Sequence, residues 1–308
     1  MLYKLMDNKP LVSICIITYN SSKTVVETLE SAKSQTYQNL ELVVSDDCST
    51  DNTIELVENW IRDNKERFVR TVVVKSDHNT GVSANCNRGD GACHGEWIKG
   101  LAGDDIFLPN CIEDDVNHVL AHPGIAALFT SAIVFYDSGE QEHEFVKDAY
   151  TMNFFNKSAR EQYEMLLNDK IPRYVAPSFF RRGDLISKYP FDETFKYIED
   201  LPQWLRLTSE GYKLYFFDKP TVKWRVSRNN LSKANKNKYY NPQIFDSMIP
   251  FFYLKMKPLL LEKGNQRKIE QTEKSYLVYF FVIYILHNKR NSFINKVLLY
   301  LFKKFLHL

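Results

Sequence analysis

Along the first hundred residues the spacing of apolar positions changes several times, and each change marks an element. Residues 11–17 (LVSICII) are an almost unbroken apolar run, the pattern of a strand buried on both faces of a parallel sheet. Helical spacing follows, with Val25, Val26, Leu29 and Ala32 on one face, and Thr24 and Glu27 are spaced as a capping box. Residues 40–45 (LELVVS) predict a second strand that ends at Asp46–Asp47. Residues 52–62 read as a helix carrying Ile54, Leu56, Val57, Trp60 and Ile61. Residues 69–74 predict a third strand, and residues 96–101 (EWIKGL) a fourth, just before Asp104–Asp105. Strands separated by helices of this length build right-handed βαβ units, hence a doubly wound sheet. Such sheets bind ligands at the carboxyl ends of their strands. Both acidic pairs fall on that edge.

Past residue 127 the pattern changes. Residues 127–136 predict a pair of strands, and residues 169–184 are irregular, with Pro172, Pro177 and Gly183. Residues 200–209 predict a helix that packs Leu201, Trp204, Leu205 and Leu207 and turns Arg206 and Glu210 outward. Residues 213–217 and 221–226 predict two strands joined at residues 218–220. From Tyr239 the chain reads as helical and aromatic. The expectation is an α/β region over 1–232, in halves of about 10–125 and 126–232, and a helical C-terminal module over 233–308.

Composition narrows the function classes. The 308 residues carry 40 Lys plus Arg against 38 Asp plus Glu, and a net charge of +2 excludes bulk electrostatic binding of nucleic acid. Hydrophobic residues make up 44%, enough for a large core. The five cysteines (15, 48, 86, 93 and 111) are an odd number in a chain too large to need staples, so they read as free thiols. No pair has the short C-x2-C spacing of structural zinc sites, and the sequence assigns them no metal. The longest apolar run, residues 276–286, is too short to span a bilayer, and no signal peptide is recognisable. A cytoplasmic protein is expected, at most peripheral at the inner face of a membrane.

Candidate chemistry rests on carboxylates. Asp46–Asp47 leads into Cys48, Ser49, Thr50 and Asp51, and the pair either serves the dipole and cap of the next helix or accepts hydrogen bonds from a ligand such as a nucleobase imide. Asp104–Asp105 is either a solvated turn or a pair joined by a cation. Side-by-side carboxylates repel, and hard oxygen ligands next to a substrate phosphate suit Mg²⁺ or Mn²⁺. Glu199–Asp200 opens a helix, where acidic residues also suit the dipole. No G-x-x-x-x-G-K-[ST], G-x-G-x-x-G or G-x-S-x-G is present, which excludes a P-loop, argues against a Rossmann dehydrogenase and leaves no hydrolase elbow.

The opening stretch LVSICIITYNSSKTVVETLESAKSQTYQNLELVVSDDCSTDNT resembles the start of glycosyltransferase family 2, which has the GT-A fold. GVSANCNRG, GEWIKGLAGDDIFLPN and FDETFKYIEDLPQWLRL resemble its later blocks, in the same order, and the match covers residues 10–232. The resemblance implies a Rossmann-like doubly wound mixed sheet and an inverting transferase that uses a nucleotide-sugar donor, UDP-linked in the usual case. Thr18, Tyr19, Asn20, Asn79 and Gly81 would line the donor pocket, and Asp47 would bind the base. Asp104 would approach the ribose, and Asp105 would ligate Mn²⁺ or Mg²⁺ on the diphosphate. Asp200 would be the general base, with Glu199, Trp204 and Arg181 on the acceptor side. The acceptor would be a glycan or a lipid-linked glycan, as in bacterial surface polysaccharide synthesis. Inversion needs one base opposite the leaving group, and a divalent ion would neutralise the departing diphosphate.

This chain departs from the family pattern in three places. Ala102 stands where an Asp is frequent, Cys86 where an Arg is common, and Ser227 near a frequent His. Arg88 either substitutes for the missing Arg or does not, and Arg225 or Arg228 could supply charge to the diphosphate. The departures leave room for an inactive pseudo-transferase that binds a nucleotide sugar and acts in an assembly. A sugar-nucleotide pyrophosphorylase would need a Gly-rich basic loop that residues 18–23 lack. Residues 295–308 place Lys296, Tyr300, Lys303, Lys304 and His307 on one helical face and apolar side chains around the rest. Such a helix either lies on an anionic membrane surface or packs on the catalytic domain or another subunit.

Overall fold

In the computed structural model, residues 9–137, 139, 141–145, 147–168, 179–226 and 238–306 are described. They fall into two compact units, Met1–Val226 and Ser227–Leu308. The boundary expected at 232/233 lies outside the described residues, as do Pro172, Pro177, Ser227, Arg228 and His307.

The first unit opens with β1 (Val12–Thr18), α1 (Val25–Lys33), β2 (Leu40–Asp46), α2 (Thr53–Asn64), β3 (Arg70–Lys75), α3 (Val82–Ala92) and β4 (Trp97–Ala102). These four strands pair in parallel in the order β3-β2-β1-β4. The alternation of strand residues explains the unbroken apolar run. Val12, Ile14 and Ile16 pack with Leu40, Leu42, Val44, α1 and α2 in the main core, while Cys15 joins Val43 and Ile98 on the other face. The capping box does not form: the Thr24 hydroxyl donates instead to the Gly103 carbonyl at 2.7 Å, tying the start of α1 to the end of β4.

The unit continues with β5 (Ile106–Phe107), α4 (Cys111–Ala121), β6 (Ala127–Tyr136), β7 (His143–Glu144), α5 (Ala149–Asn156), α6 (Ala159–Asn168), β8 (Phe180–Arg182), α7 (Gly183–Lys188), α8 (Asp200–Ser209) and β9 (Tyr215–Val226). The sheet extends as β4-β8-β6-β9-β5, with β8 antiparallel to β4 and β6, and β7 on β6. Two expectations are corrected. Residues 127–136 form one strand rather than a pair, and residues 215–226 form one strand through Asp218–Pro220. The register of β6 against β9 shifts around Ser131, where Pro220 is its partner, so an irregularity absorbs the proline and the strand runs on.

The second unit contains α9 (Pro242–Phe251), α10 (Lys257–Glu262), α11 (Gln266–Phe280) and α12 (Phe293–Phe305). Its core includes Val278, Val282 and Leu286, with Phe281 and Phe302 stacked at 4.1 Å. Asn288, in the left-handed region, accepts the Tyr239 and Tyr240 N–H groups and donates to the Tyr240 carbonyl, which pins the entry of this unit. α12 buries none of its residues, and Phe293, Ile294, Tyr300 and Phe305 are among its exposed apolar side chains. Among the described residues no helix is long and apolar enough to cross a membrane.

Candidate active site

The carboxyl ends of β1, β2 and β4 are joined by their own turns. The Asp47 N–H donates to the Thr18 carbonyl (3.1 Å) and the Gly103 N–H to the Ile17 carbonyl (2.9 Å). The Thr18 hydroxyl donates to the Asp46 carboxylate at 2.7 Å, and Asp46 also accepts the Ser49 N–H and hydroxyl. Asn20, with φ of 52°, accepts the Thr50 N–H on Oδ1 (2.8 Å) and donates its own N–H to the Ser49 hydroxyl. Tyr19 stands half exposed between these bonds, its ring presented at the strand edge. Asp51, just before the start of α2, accepts the Thr53 N–H and hydroxyl. Of the two readings of Asp46–Asp47, turn-building fits Asp46; Asp47 reaches elsewhere.

Asp47 organises the next turn. Its carboxylate, 3% exposed, accepts from Thr80 N (3.0 Å), Thr80 Oγ1 (2.6 Å), Gly81 N (2.8 Å) and Arg88 Nη2 (2.7 Å). Burial opposes ionisation, but the bonds from Thr80, Arg88 and Gly81 outweigh it and hold the group below the usual carboxylate range. Arg88 also donates to Thr80 Oγ1 at 2.7 Å. Gly81 has φ of +95°, and a Cβ there would lie 2.8 Å from Lys196 Cβ, so no larger residue fits. Asn79 is exposed beside this turn.

Asp104–Asp105 follows Gly103 at the end of β4. Asp105, 3% exposed, accepts the Arg225 N–H on Oδ1 at 2.7 Å. Burial pushes it well above the usual carboxylate range, and the Asp104 charge pushes further; burial also raises Asp104. Adjacent carboxylates, one buried and one half-buried, that resist joint ionisation fit a hard divalent cation, which would relieve both the desolvation and the repulsion. Ala102 contributes no third carboxylate. The Arg225 guanidinium is already engaged by Glu27, by Asp137 (2.8 Å) and by the Asp104 carbonyl, and lies over Phe135 at 4.5 Å.

Asp200 is the first residue of α8 and Glu199 its N-cap. Burial, and then the Asp200 charge, raise Glu199 well above the usual range, and the two side chains are hydrogen-bonded. The segment before α8 is fastened to α3: Val82 N donates to Lys196 O (2.9 Å), Ser83 Oγ to Phe195 O (2.6 Å), and Asn87 exchanges bonds with Phe191. The start of α3 therefore carries the Asp47 turn on one side and holds the approach to Asp200 on the other. The helix was not expected from sequence, and neither was Thr80.

Two acceptor-side expectations meet a different environment. Trp204 is 2% exposed, edge-on to Phe129 (4.9 Å) and Phe179 (4.4 Å), a core residue of α8. Arg181 is 6% exposed and ion-paired to Asp90 at 2.6 Å, its guanidinium over Phe179 and Phe191. Neither presents a surface to an acceptor; both are corrected to structural positions.

Comparison with known proteins identifies the family and the fold. The sequence model of Glycosyl transferase family 2 matches residues 13–189. An uncharacterized glycosyltransferase of Methanocaldococcus jannaschii is 25% identical over 237 residues, 76% of this chain and 78% of the relative. The Escherichia coli protein named UDP-Glc:alpha-D-GlcNAc-diphosphoundecaprenol beta-1,3-glucosyltransferase WfaP is 27% identical over 228 residues, 74% of this chain and 82% of its own. The S. aureus TarS 1-349 structure in complex with UDP-GlcNAc superposes with a TM-score of 0.55 at 20% identity, covering 88% of this chain and 72% of that one, a likeness of fold.

Proposed function

The chain belongs to glycosyl transferase family 2 and is a glycosyltransferase of the GT-A fold, and on that premise we propose that it transfers a sugar from a UDP-linked donor to a glycan or lipid-linked acceptor with inversion. The observation that carries the reading is the joined set of turns at the ends of β1, β2 and β4, with saturated Asp47 and cation-hungry Asp104–Asp105 on one edge. A bacterial surface polysaccharide is the proposed product class, supported by the E. coli relative whose name gives a diphosphoundecaprenol-linked sugar as acceptor.

The roles follow from the environments. Asp47, Thr80 and Arg88 form the polar wall for the base, and the exposed Tyr19 ring offers it a stacking face. Asp104 faces the ribose. Asp105 holds Mn²⁺ or Mg²⁺, which supplies Lewis-acid neutralisation of the departing diphosphate when bound. Asp200 takes the proton of the attacking acceptor hydroxyl. Single displacement with one base accounts for inversion. In α12, exposed apolar residues beside Lys296, Lys303 and Lys304 suit contact with an anionic membrane that holds a lipid-linked acceptor.

The test is a thermal-shift screen of UDP, GDP and dTDP sugars with and without Mn²⁺, followed by transfer to lipid-linked glycans and assignment of the product anomer. A ligand at one hundred times its Kd adds about 2.7 kcal/mol of stability, a readable shift. A product with retained configuration, or no response to any nucleotide sugar, would overturn the proposal.

A further inference from the structure

The sheet face opposite the main core holds a cluster that the transfer chemistry does not use. Cys15 Sγ from β1, Cys93 Sγ just after α3 and an Asp90 carboxylate oxygen all lie within 4.8 Å of one another. Ligand atoms of a tetrahedral zinc-type site stand about 3.8 Å apart, so shifts on the order of 1 Å complete the geometry. The approach is close because Gly89 faces Cys15: a Cβ on Gly89 would lie 2.6 Å from Cys15 Sγ. The spacing 15…90…93 crosses a βαβ crossover, which is why no short Cys motif betrays it in the sequence.

We infer that Cys15, Cys93 and Asp90 form a site for one thiophilic divalent cation of the Zn²⁺ class. Charge favours it. Two thiolates and one carboxylate carry three negative charges, and Arg181, bound to Asp90 at 2.6 Å, with a divalent ion carries three positive ones. In the structure the Cys93 thiol donates to the Gly89 carbonyl at 3.3 Å. Thiolate ligands must be deprotonated, so binding of the ion would release thiol protons. Access comes through a cavity of about 390 Å³ that Asp90, Cys93, His94, Ile186 and Pro190 help to line, and a water entering it would supply the fourth ligand. Soft sulfur donors separate this site from the all-oxygen Asp104–Asp105 pair. A bound ion would bolt the end of α3 to β1, at the end opposite the Asp47 turn.

The experiment titrates the full chain with Co²⁺ under reducing conditions, then with Cd²⁺, and reads sulfur-to-metal charge transfer and melting temperature. One equivalent of Co²⁺ is expected to give charge-transfer and tetrahedral visible bands, lost in Cys93→Ser and kept in Cys48→Ser and Cys86→Ser. Cd²⁺ is expected to raise the melting temperature of the wild type and not of Cys93→Ser. Cys93 is only half-buried, so its serine variant tests the site without a polar group placed in the core at Cys15. Absence of charge transfer in the wild type, or its survival unchanged in Cys93→Ser, overturns the inference.

Discussion

Replacing Asp47 with Asn tests the organising role of its carboxylate. The side chain accepts from Thr80 N, Thr80 Oγ1, Gly81 N and Arg88 Nη2. Asn has one oxygen and brings an NH₂ group. With the oxygen toward Arg88 and Thr80, the NH₂ confronts the Gly81 N–H; in the other orientation it confronts the guanidinium. An orphaned buried donor costs about 1–3 kcal/mol, and a lost charge-assisted bond about 1.5–3 kcal/mol. The sum is about 4 kcal/mol. At about 2–4 °C per kcal/mol for a domain this size, Asp47→Asn should melt about 10 °C lower at pH 7. Because the folded carboxylate lies below its ordinary range, its contribution is present above the unfolded value near 4 and is lost as pH falls through the folded value. The wild-type and variant melting curves should therefore converge as pH is lowered below about 4. Scanning calorimetry across that range is the assay. A variant that melts within about 2 °C of wild type at pH 7, or a gap that widens in acid, would refute the reasoning.

Four further outcomes are expected. Asp200→Asn should lower turnover by about 10²–10⁴-fold while leaving UDP affinity unchanged, and wild-type turnover would remove Asp200 as the base. Asp105→Ala should abolish the Mn²⁺-dependent part of nucleotide-sugar affinity, so titrations with and without chelator should coincide for the variant alone. Lys99 and Asp115 form an ion pair at 2.7 Å with both side chains fully buried, so Lys99→Met should cost about 3–5 kcal/mol in urea unfolding, and the double variant with Asp115→Leu should regain most of it. Truncation after Asn288 should reduce flotation with anionic liposomes and not with neutral ones; equal flotation of both chains would count against membrane contact by α12.

Most of the sheet's parallel half was legible because buried parallel strands are apolar on both faces, and β1, β2 and β4 sit within a residue or so of their expected places. α3 was not, because its buried face is Ser83, Ala84, Asn85, Gly89 and Asp90. It packs by close approach and hydrogen bonds, so there is no apolar stripe for periodicity to detect. β9 was read as two strands because Asp218–Pro220 looks like a turn. Its partner β6 supplies the irregularity that lets the proline stay in the strand, and no local pattern encodes a partner's register.

The site divides in the same way. Strand ends are local, so the edge on which Asp47 and Asp105 stand could be read from the chain. What each carboxylate touches depends on residues 33 to 120 positions away, such as Thr80 for Asp47 and Arg225 for Asp105. Arg181 shows the consequence: resemblance alone places it on the acceptor side, and its partner Asp90 lies 91 positions earlier. Asp47 and Asp105 are alike in sequence and in burial but opposite in charge economy. Asp47 is saturated by four donors and held ionised, whereas Asp105 has one backbone donor and a like-charged neighbour. A base imide can reach Asp47 only by displacing Thr80 or Gly81. On the proposed function, donor choice is therefore made by the Thr80–Arg88 wall and the Tyr19 ring, and the vacancy in charge at Asp104–Asp105 is where the diphosphate brings its metal.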